Sequence, residues 1–109
     1  MSASAPNFGE LSRTADSFYV YILRCADDSL YIGHTSNIDE RVRAHNDGRG
    51  ALWTACRRPV VLAYRELHSS DEQAIARERQ LKRWTHAKKI ALINGDGIKL
   101  KSLAKRHMP

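Results

Sequence analysis

Cysteine is scarce: the 109-residue chain carries two, Cys25 and Cys56, far apart and without CxxC spacing. That excludes a disulfide framework and a zinc or redox knuckle, and it suits a reducing, cytoplasmic setting. Long apolar runs are missing too, so no segment spans a bilayer and no membrane partner is expected. The opening MSASAPNFGELSRTADS lacks the charged start and apolar middle of a signal peptide. Residues 1–17, rich in Ser and Ala, are expected to form a disordered leader. No internal repeat is visible. Acidic side chains are few, 12 Asp and Glu against 18 Lys and Arg, leaving a formal charge of +6. Such an excess concentrates phosphates near the surface, and nucleic acid is the leading partner class.

A chain this short supports one domain and one site. The expected domain covers 18–94, with 95–109 as a basic tail or short helix. From Phe18 to Cys25 the residues are aromatic and β-branched; after ADDS the pattern resumes as LYIGHT, which predicts a hairpin. A three-residue loop, Ala26-Asp27-Asp28, with Asp28 in the left-handed region, pairs Leu23 with Tyr31. Tyr19, Tyr21, Tyr31 and Gly33 then share one face, because side chains alternate along strands.

SNIDERVRAHNDG predicts a short helix capped by Asn37 with Glu40 as capping-box partner, stopped by Gly48. Ile38 and Val42 mark its apolar stripe, and Arg41 and His45, four apart, stand beside that stripe. GRGALWTACRRP reads as a loop, and VVLAYREL as a third strand. SSDEQAIARERQLKRW predicts an amphipathic helix capped by Ser69 and Glu72, with Ala74, Ile75, Leu81 and Trp84 inward. Glu78 falls inside that apolar side, where a carboxylate needs a partner. Thr85 caps a further helix through HAKKIALI. The order predicts an α+β fold: a small three-stranded antiparallel sheet, a hairpin plus one strand, flanked by helices.

Acting on a phosphodiester takes an activated nucleophile, positive charge on the nonbridging oxygens, and often a metal that stabilises a developing oxyanion. Here Glu78 offers an oxygen ligand to Mg²⁺ or Mn²⁺, which keep several waters. Arg41 offers a fork of donors for phosphate. A nearby cation would favour the ionised form of Tyr21 or Tyr31. Each residue also has a plainer reading. The tyrosines pack a core; His45 is a partly exposed helix-end residue favoured by the helix dipole. Arg41 pairs with Asp39 or Glu40, and Glu78 with Arg41 or Lys82.

Together, YVY at Tyr19 to Tyr21, YIG at Tyr31 to Gly33, Arg41 and His45 on the next helix and the late Glu78 resemble the GIY-YIG nuclease superfamily. More closely, YVYILRCADDSLYIGHTSNIDERVRAHNDG, RRPVVLAYRE and ARERQLKRWTHAKKIALI are similar to its small stand-alone bacterial YhbQ-like group. The resemblance covers Phe18 to about Ile93. It implies a GIY-YIG nuclease-like fold and a Mg²⁺-dependent endonuclease hydrolysing DNA, here without a recognition domain and so directed by structure rather than sequence. It further implies Tyr31 as general base or water-orienting phenol with Tyr21 beside it, His45 assisting proton transfer, Arg41 on the phosphate and Glu78 on the metal. Gly33 would admit the substrate backbone. His34 stands where some branches carry a phosphate-contacting Lys, and Asn94 has about the spacing of a late Asn. Arg57, Arg58 and Lys82, with Arg83, Lys88 and Lys89, are expected to contact DNA phosphates. The competing reading is a non-catalytic nucleic-acid-binding module, or one that depends on a protein partner to present substrate.

Overall fold

Strand β1, Phe18–Arg24, forms the centre of a three-stranded sheet. Its antiparallel neighbours are β2, Leu30–Thr35, on one edge and β3, Val61–His68, on the other. The computed structural model describes residues 17–106, so the expected leader, apart from Ser17, lies outside the described residues. The hairpin turns as its sequence requires. Asp28 takes φ 67°, the Asp28 N–H donates to the Cys25 carbonyl at 2.9 Å, and the Cys25 N–H donates to the Ser29 carbonyl at 2.9 Å. That turn sets Leu23 opposite Tyr31 and Tyr21 opposite Gly33.

Five helices follow the hairpin: α1 (Ile38–Asn46), α2 (Leu52–Ala55), α3 (Asp71–Lys82), α4 (His86–Ile93) and α5 (Gly97–Arg106). In α1 the Asn37 side chain accepts the Glu40 N–H at 3.1 Å, whereas the Asn37 N–H goes to Thr35 Oγ1 at 3.1 Å instead of to the Glu40 carboxylate. The Glu40 carboxylate turns to Arg43 and Arg49, at 3.7 and 3.9 Å. The cap of α3 is Ser70 rather than Ser69, one residue later than expected. Ser70 Oγ accepts the Gln73 N–H at 3.1 Å, and Gln73 reaches back to the Ser69 N–H and hydroxyl. A single helical turn, α2, replaces an expected loop. The C-terminal residues form a ten-residue helix that packs on α4 with Leu103 buried. Among the described residues no helix is long and apolar enough to cross a membrane.

Alternation along the strands builds two cores. Val20, Ile22 and Ile32 pack against Ala74 and Leu81 of α3, with Trp84, Leu92 and Ile93 alongside. On the opposite face Tyr21, Leu23 and Cys25 pack against Ile38 and Val60, with Tyr19, Tyr31 and Val42 at their margin. Each fully buried aliphatic side chain contributes about 1.5–3 kcal/mol over its exposed state. The sheet is therefore sandwiched between α1 and α3, and β2 is an edge strand reachable from both sides.

Candidate active site

Gly33 determines where the Tyr21 phenol goes. Strand alternation aims Tyr21 and Gly33 at the same face, directly opposite each other. A β-carbon on Gly33 would stand 2.5 Å from Tyr21 Oη and 2.7 Å from Cζ. Without one, the ring lies across β2 toward its open edge. Gly33, expected to admit a substrate backbone, makes room here for the Tyr21 phenol. Tyr21 is 1 % exposed; Tyr31, two residue pairs along the hairpin and so on the same face, is half-buried, with ring centroids 6.5 Å apart. Of the two phenols, Tyr31 is the one that faces open space.

His45 is buried, 1 % exposed, not the partly exposed helix-end residue of the plainer reading. Its Nε2 lies 3.2 Å from Tyr21 Oη and its Nδ1 lies 2.7 Å from Thr54 Oγ1. The Thr54 hydroxyl donates to the Ala51 carbonyl at 2.9 Å. A carbonyl only accepts, so the one Thr54 proton is committed there and Nδ1–H must be the donor to Thr54. Nε2 of the neutral ring is then left to accept the Tyr21 O–H. The chain runs in one direction, Tyr21 to His45 to Thr54 to Ala51. Behind it, a β-carbon on Gly50 would collide with the His45 ring, so the imidazole also needs a glycine.

Burial pushes the Tyr21 phenol up to about 12, helped by Tyr31 and Glu78, while the Arg41 guanidinium alongside pulls the other way. Burial, and then Arg41, hold His45 below its ordinary value. Both groups are therefore in their neutral forms near pH 7, as the hydrogen-bond directions require.

Arg41, one turn before His45 on α1, is exposed, and no carboxylate pairs with it among the described residues, so the expected pairing with Asp39 or Glu40 is absent. It lines a cavity of about 560 Å³ together with Tyr31, His45, Glu40, Arg49 and Ala51. A guanidinium with no carboxylate partner among the described residues and a phenol thus face the same space, which is what an anionic ligand with a reacting water would meet.

Glu78 approaches from the other side of the sheet. His34 shares the parity of Ile32 and Val20, so it faces α3, where its Nδ1 is hydrogen-bonded to Glu78 Oε1. Lys82 Nζ lies 2.7 Å from Glu78 Oε2, and Asp71 stands 3.9 Å from His34 Nε2. Burial raises the Glu78 carboxyl, but Lys82 and His34 outweigh it and leave the group below the usual range, hence ionised. The tyrosines and the glutamate therefore occupy opposite faces of β2 and meet electrically at its edge, where Glu78 is close enough to raise Tyr21. His34, expected at a phosphate, is engaged by carboxylates.

Most of the basic residues expected to meet phosphate have other partners. Arg57 pairs with Asp27 at 3.3 Å, donates to the Trp53 carbonyl at 2.8 Å and lies 4.0 Å from the centre of the Trp53 ring. Arg58 donates to the Ala55 and Asn46 carbonyls at 3.0 and 3.3 Å. These two arginines tie the ends of α1 and α2 to the hairpin loop. Lys82 is on Glu78, and Lys88 covers Trp84 at 4.3 Å. Asn94 is the C-cap of α4 and lines a separate cavity with Ile90 and Lys99. Sequence reasoning missed Gly50, Trp53 and Thr54. All three belong to the stretch read as a loop, and the one available signal was an aromatic and a hydroxyl, WT, in an otherwise small-residue run.

Comparison with known proteins gives a consistent answer. The GIY-YIG catalytic domain family matches residues 17–91. A UPF0213 protein of Staphylococcus haemolyticus is 47 % identical over 75 residues, 69 % of this chain and 92 % of that protein. A UPF0213 protein of Staphylococcus aureus is 45 % identical over 78 residues, 72 % of this chain and 95 % of that one. The solution NMR structure of a UPF0213 protein from Bacillus halodurans is 37 % identical and aligns with a TM-score of 0.49 over 74 % of this chain and 86 % of that one. The chain belongs to the GIY-YIG family, of the nuclease-type hydrolase superfamily, and within it to the small stand-alone UPF0213 proteins.

Proposed function

We propose that this GIY-YIG protein is an endonuclease that hydrolyses DNA phosphodiester bonds, directed by the structure of its substrate rather than by sequence. The observation that carries this reading is the shared cavity of about 560 Å³ lined by both Tyr31 and Arg41, whose guanidinium has no carboxylate partner among the described residues. In it, Arg41 binds the nonbridging oxygens through its donor fork, and charge gathers there in the transition state. Tyr31 orients the attacking water and handles its proton. Tyr21, buried and donating to His45, does not touch substrate; with His45 and Thr54 it sets the polarity of the wall behind Tyr31. Both cysteines are free, one of them exposed, which suits action in the reducing cytoplasm.

Glu78 fits a hard divalent cation, Mg²⁺ or Mn²⁺. It is ionised and part-buried, and one of the two groups matching its charge is the Lys82 ammonium, exposed by 54 % on a flexible stem and so exchangeable. Among the described residues no group of three or more His, Cys, Asp or Glu side chains is placed to hold a metal ion together, so water and phosphate oxygens would complete the shell around Glu78. When bound, such a cation supplies Lewis-acid polarisation of the phosphoryl oxygens and charge for the departing oxyanion.

The test is a cleavage assay on linear, flapped and branched DNA with Mg²⁺ or Mn²⁺, run beside Tyr31→Phe and Arg41→Ala. Cutting by the parent protein and its loss in both variants, with salt-dependent binding retained by Tyr31→Phe, supports the reading. Salt-dependent binding by the parent without any cutting replaces it with a binding module, or one that needs a protein partner.

A further inference from the structure

We infer that the β2 edge carries a subsite for one unstacked nucleobase, walled by Trp53 and Tyr31 and rimmed by Lys82 and Lys89, so that the favoured substrate presents an unpaired nucleotide beside the reacting phosphodiester. The inference rests on the reading that the bound polymer is DNA. Four observations carry it. The first is a cavity of about 150 Å³ lined by Leu30, Tyr31, Ile32, Trp53, Lys82 and Lys89. Drug-sized ligands occupy sites from about 300 Å³ upward, so this one admits a single small ring system. The second is ring orientation. Trp53 and Tyr31 lie nearly parallel, 28° apart with centroids separated by 6.1 Å, and Trp53 remains 39 % exposed and open to a ligand.

The third observation explains why that indole stays in place. The Arg57 guanidinium over the ring, held by Asp27 and by the Trp53 carbonyl, fixes the side chain before any ligand arrives. A platform already ordered loses little entropy on binding. The fourth is charge. Lys89 has no acidic partner among the described residues, and Lys82 is paired with Glu78; both lysines line the cavity beside its apolar walls, which suits a flat base flanked by its phosphates. Tyr31 lines both this cavity and the larger one with Arg41, so a base seated here places its own phosphodiester next to the guanidinium. A paired base is not available to such walls. Single strands, flaps and frayed ends present one without unstacking, which gives the protein a way of reading structure without reading sequence.

The experiment uses the full chain in EDTA, so that nothing is cut. Trp84→Phe leaves Trp53 as the single indole of the two in the chain. Its fluorescence is followed on adding an oligodeoxythymidylate of about ten nucleotides or an abasic phosphodiester of the same length. Quenching by the thymidylate and none by the abasic strand is expected. Trp53→Ala in the otherwise unaltered chain should weaken single-strand affinity about 5- to 100-fold while changing duplex affinity by no more than about twofold. If Trp84→Phe does not fold, the difference in quenching between the parent protein and Trp53→Ala reads the same quantity. Equal quenching or equal affinity with the abasic strand overturns the subsite, as does salt-dependent binding with no quenching. The two readings fail separately. A protein that quenches on thymidylate but never cuts loses the nuclease assignment and keeps the subsite, and one that cuts flaps without quenching loses the subsite alone.

Discussion

The Tyr21 hydroxyl donates to Nε2 of His45, 3.2 Å away, with both side chains 1 % exposed. A phenol raised to about 12 and an imidazole held below its ordinary value sit in contact with the proton on oxygen. Moving that proton in the resting protein is strongly uphill. The pair is therefore a fixed dipole pointing from oxygen to nitrogen, and its direction is set at the far end by Thr54.

Removing that far end tests the assignment. Thr54→Val keeps the shape of the side chain but deprives His45 Nδ1–H of its acceptor, a loss worth about 1–3 kcal/mol in a buried setting. We expect kcat for flap cleavage to fall about tenfold with KM little changed. Thr54→Ser, which keeps the hydroxyl, should restore most of it. An undamaged Thr54→Val would mean that the hydroxyl is not what matters at this position, and damage from Ser as large as from Val would mean that the hydroxyl alone does not suffice.

Stability should carry the signature of the same imidazole. Above about pH 6.5 His45 is neutral in the folded and the unfolded chain alike. As pH falls below that value the unfolded chain protonates first, because burial and Arg41 depress the folded pKa. The contribution is thus fully present above about 6.5 and is lost as pH falls through the lowered folded value. Glu66 and Glu78, held below the usual carboxylate range by Arg77 and by Lys82 and His34, add losses only further down. Urea midpoints measured from pH 7.5 to 5 should fall more steeply for the parent protein than for His45→Gln. Parallel slopes would show that His45 does not titrate in the way its burial demands.

Gly33→Ala is expected to be among the costlier small substitutions. The new methyl meets Tyr21 Oη and Cζ at 2.5 and 2.7 Å, and Tyr21 has little room to retreat, being packed among Leu23, Ile38 and Val60. Overpacking of this kind costs about 1–3 kcal/mol. Tyr21→Phe in the same chain removes the nearer clash and should recover part of the stability but none of the activity, since the donor to His45 is gone. Thermal unfolding of the single and double variants gives the answer. A Gly33→Ala protein as stable as the parent would show that the ring does not lie across β2.

What could be read from the chain was whatever obeys a short period. Alternation put Tyr21, Tyr31 and Gly33 on one face, and the ADDS loop with Asp28 at φ 67° set their register. Helical spacing exposed Glu78 as a carboxylate in an apolar stripe. Its side of the sheet was not read, although the parity of His34 with Ile32 contained the answer, because nothing local says which strand residue a helix four elements away will touch. Arg57 and Arg58 looked like phosphate ligands since charge is visible in a sequence, whereas the carbonyls of Trp53, Ala55 and Asn46 that hold them are not. Thr54 and Trp53 escaped because α2 is four residues long, too short for any period to show.

Glu78 and Lys82 form an ion pair 2.7 Å long across one turn of α3. If Glu78 receives a divalent cation, the Lys82 ammonium is its internal competitor, and one of the two must yield. Lys82→Ala should then lower the Mg²⁺ concentration needed for half-maximal cutting, measured at saturating DNA so that any loss of phosphate contact is hidden. Glu78→Gln should abolish cutting at every Mg²⁺ concentration, a fall of at least about 10²-fold, with the fold intact because His34 and Lys82 are both partly exposed. An unchanged Mg²⁺ midpoint in Lys82→Ala would separate the lysine from the cation. Cutting that persists in Glu78→Gln would take the cation away from Glu78 altogether and leave that carboxylate as the anchor of His34 at the β2 edge.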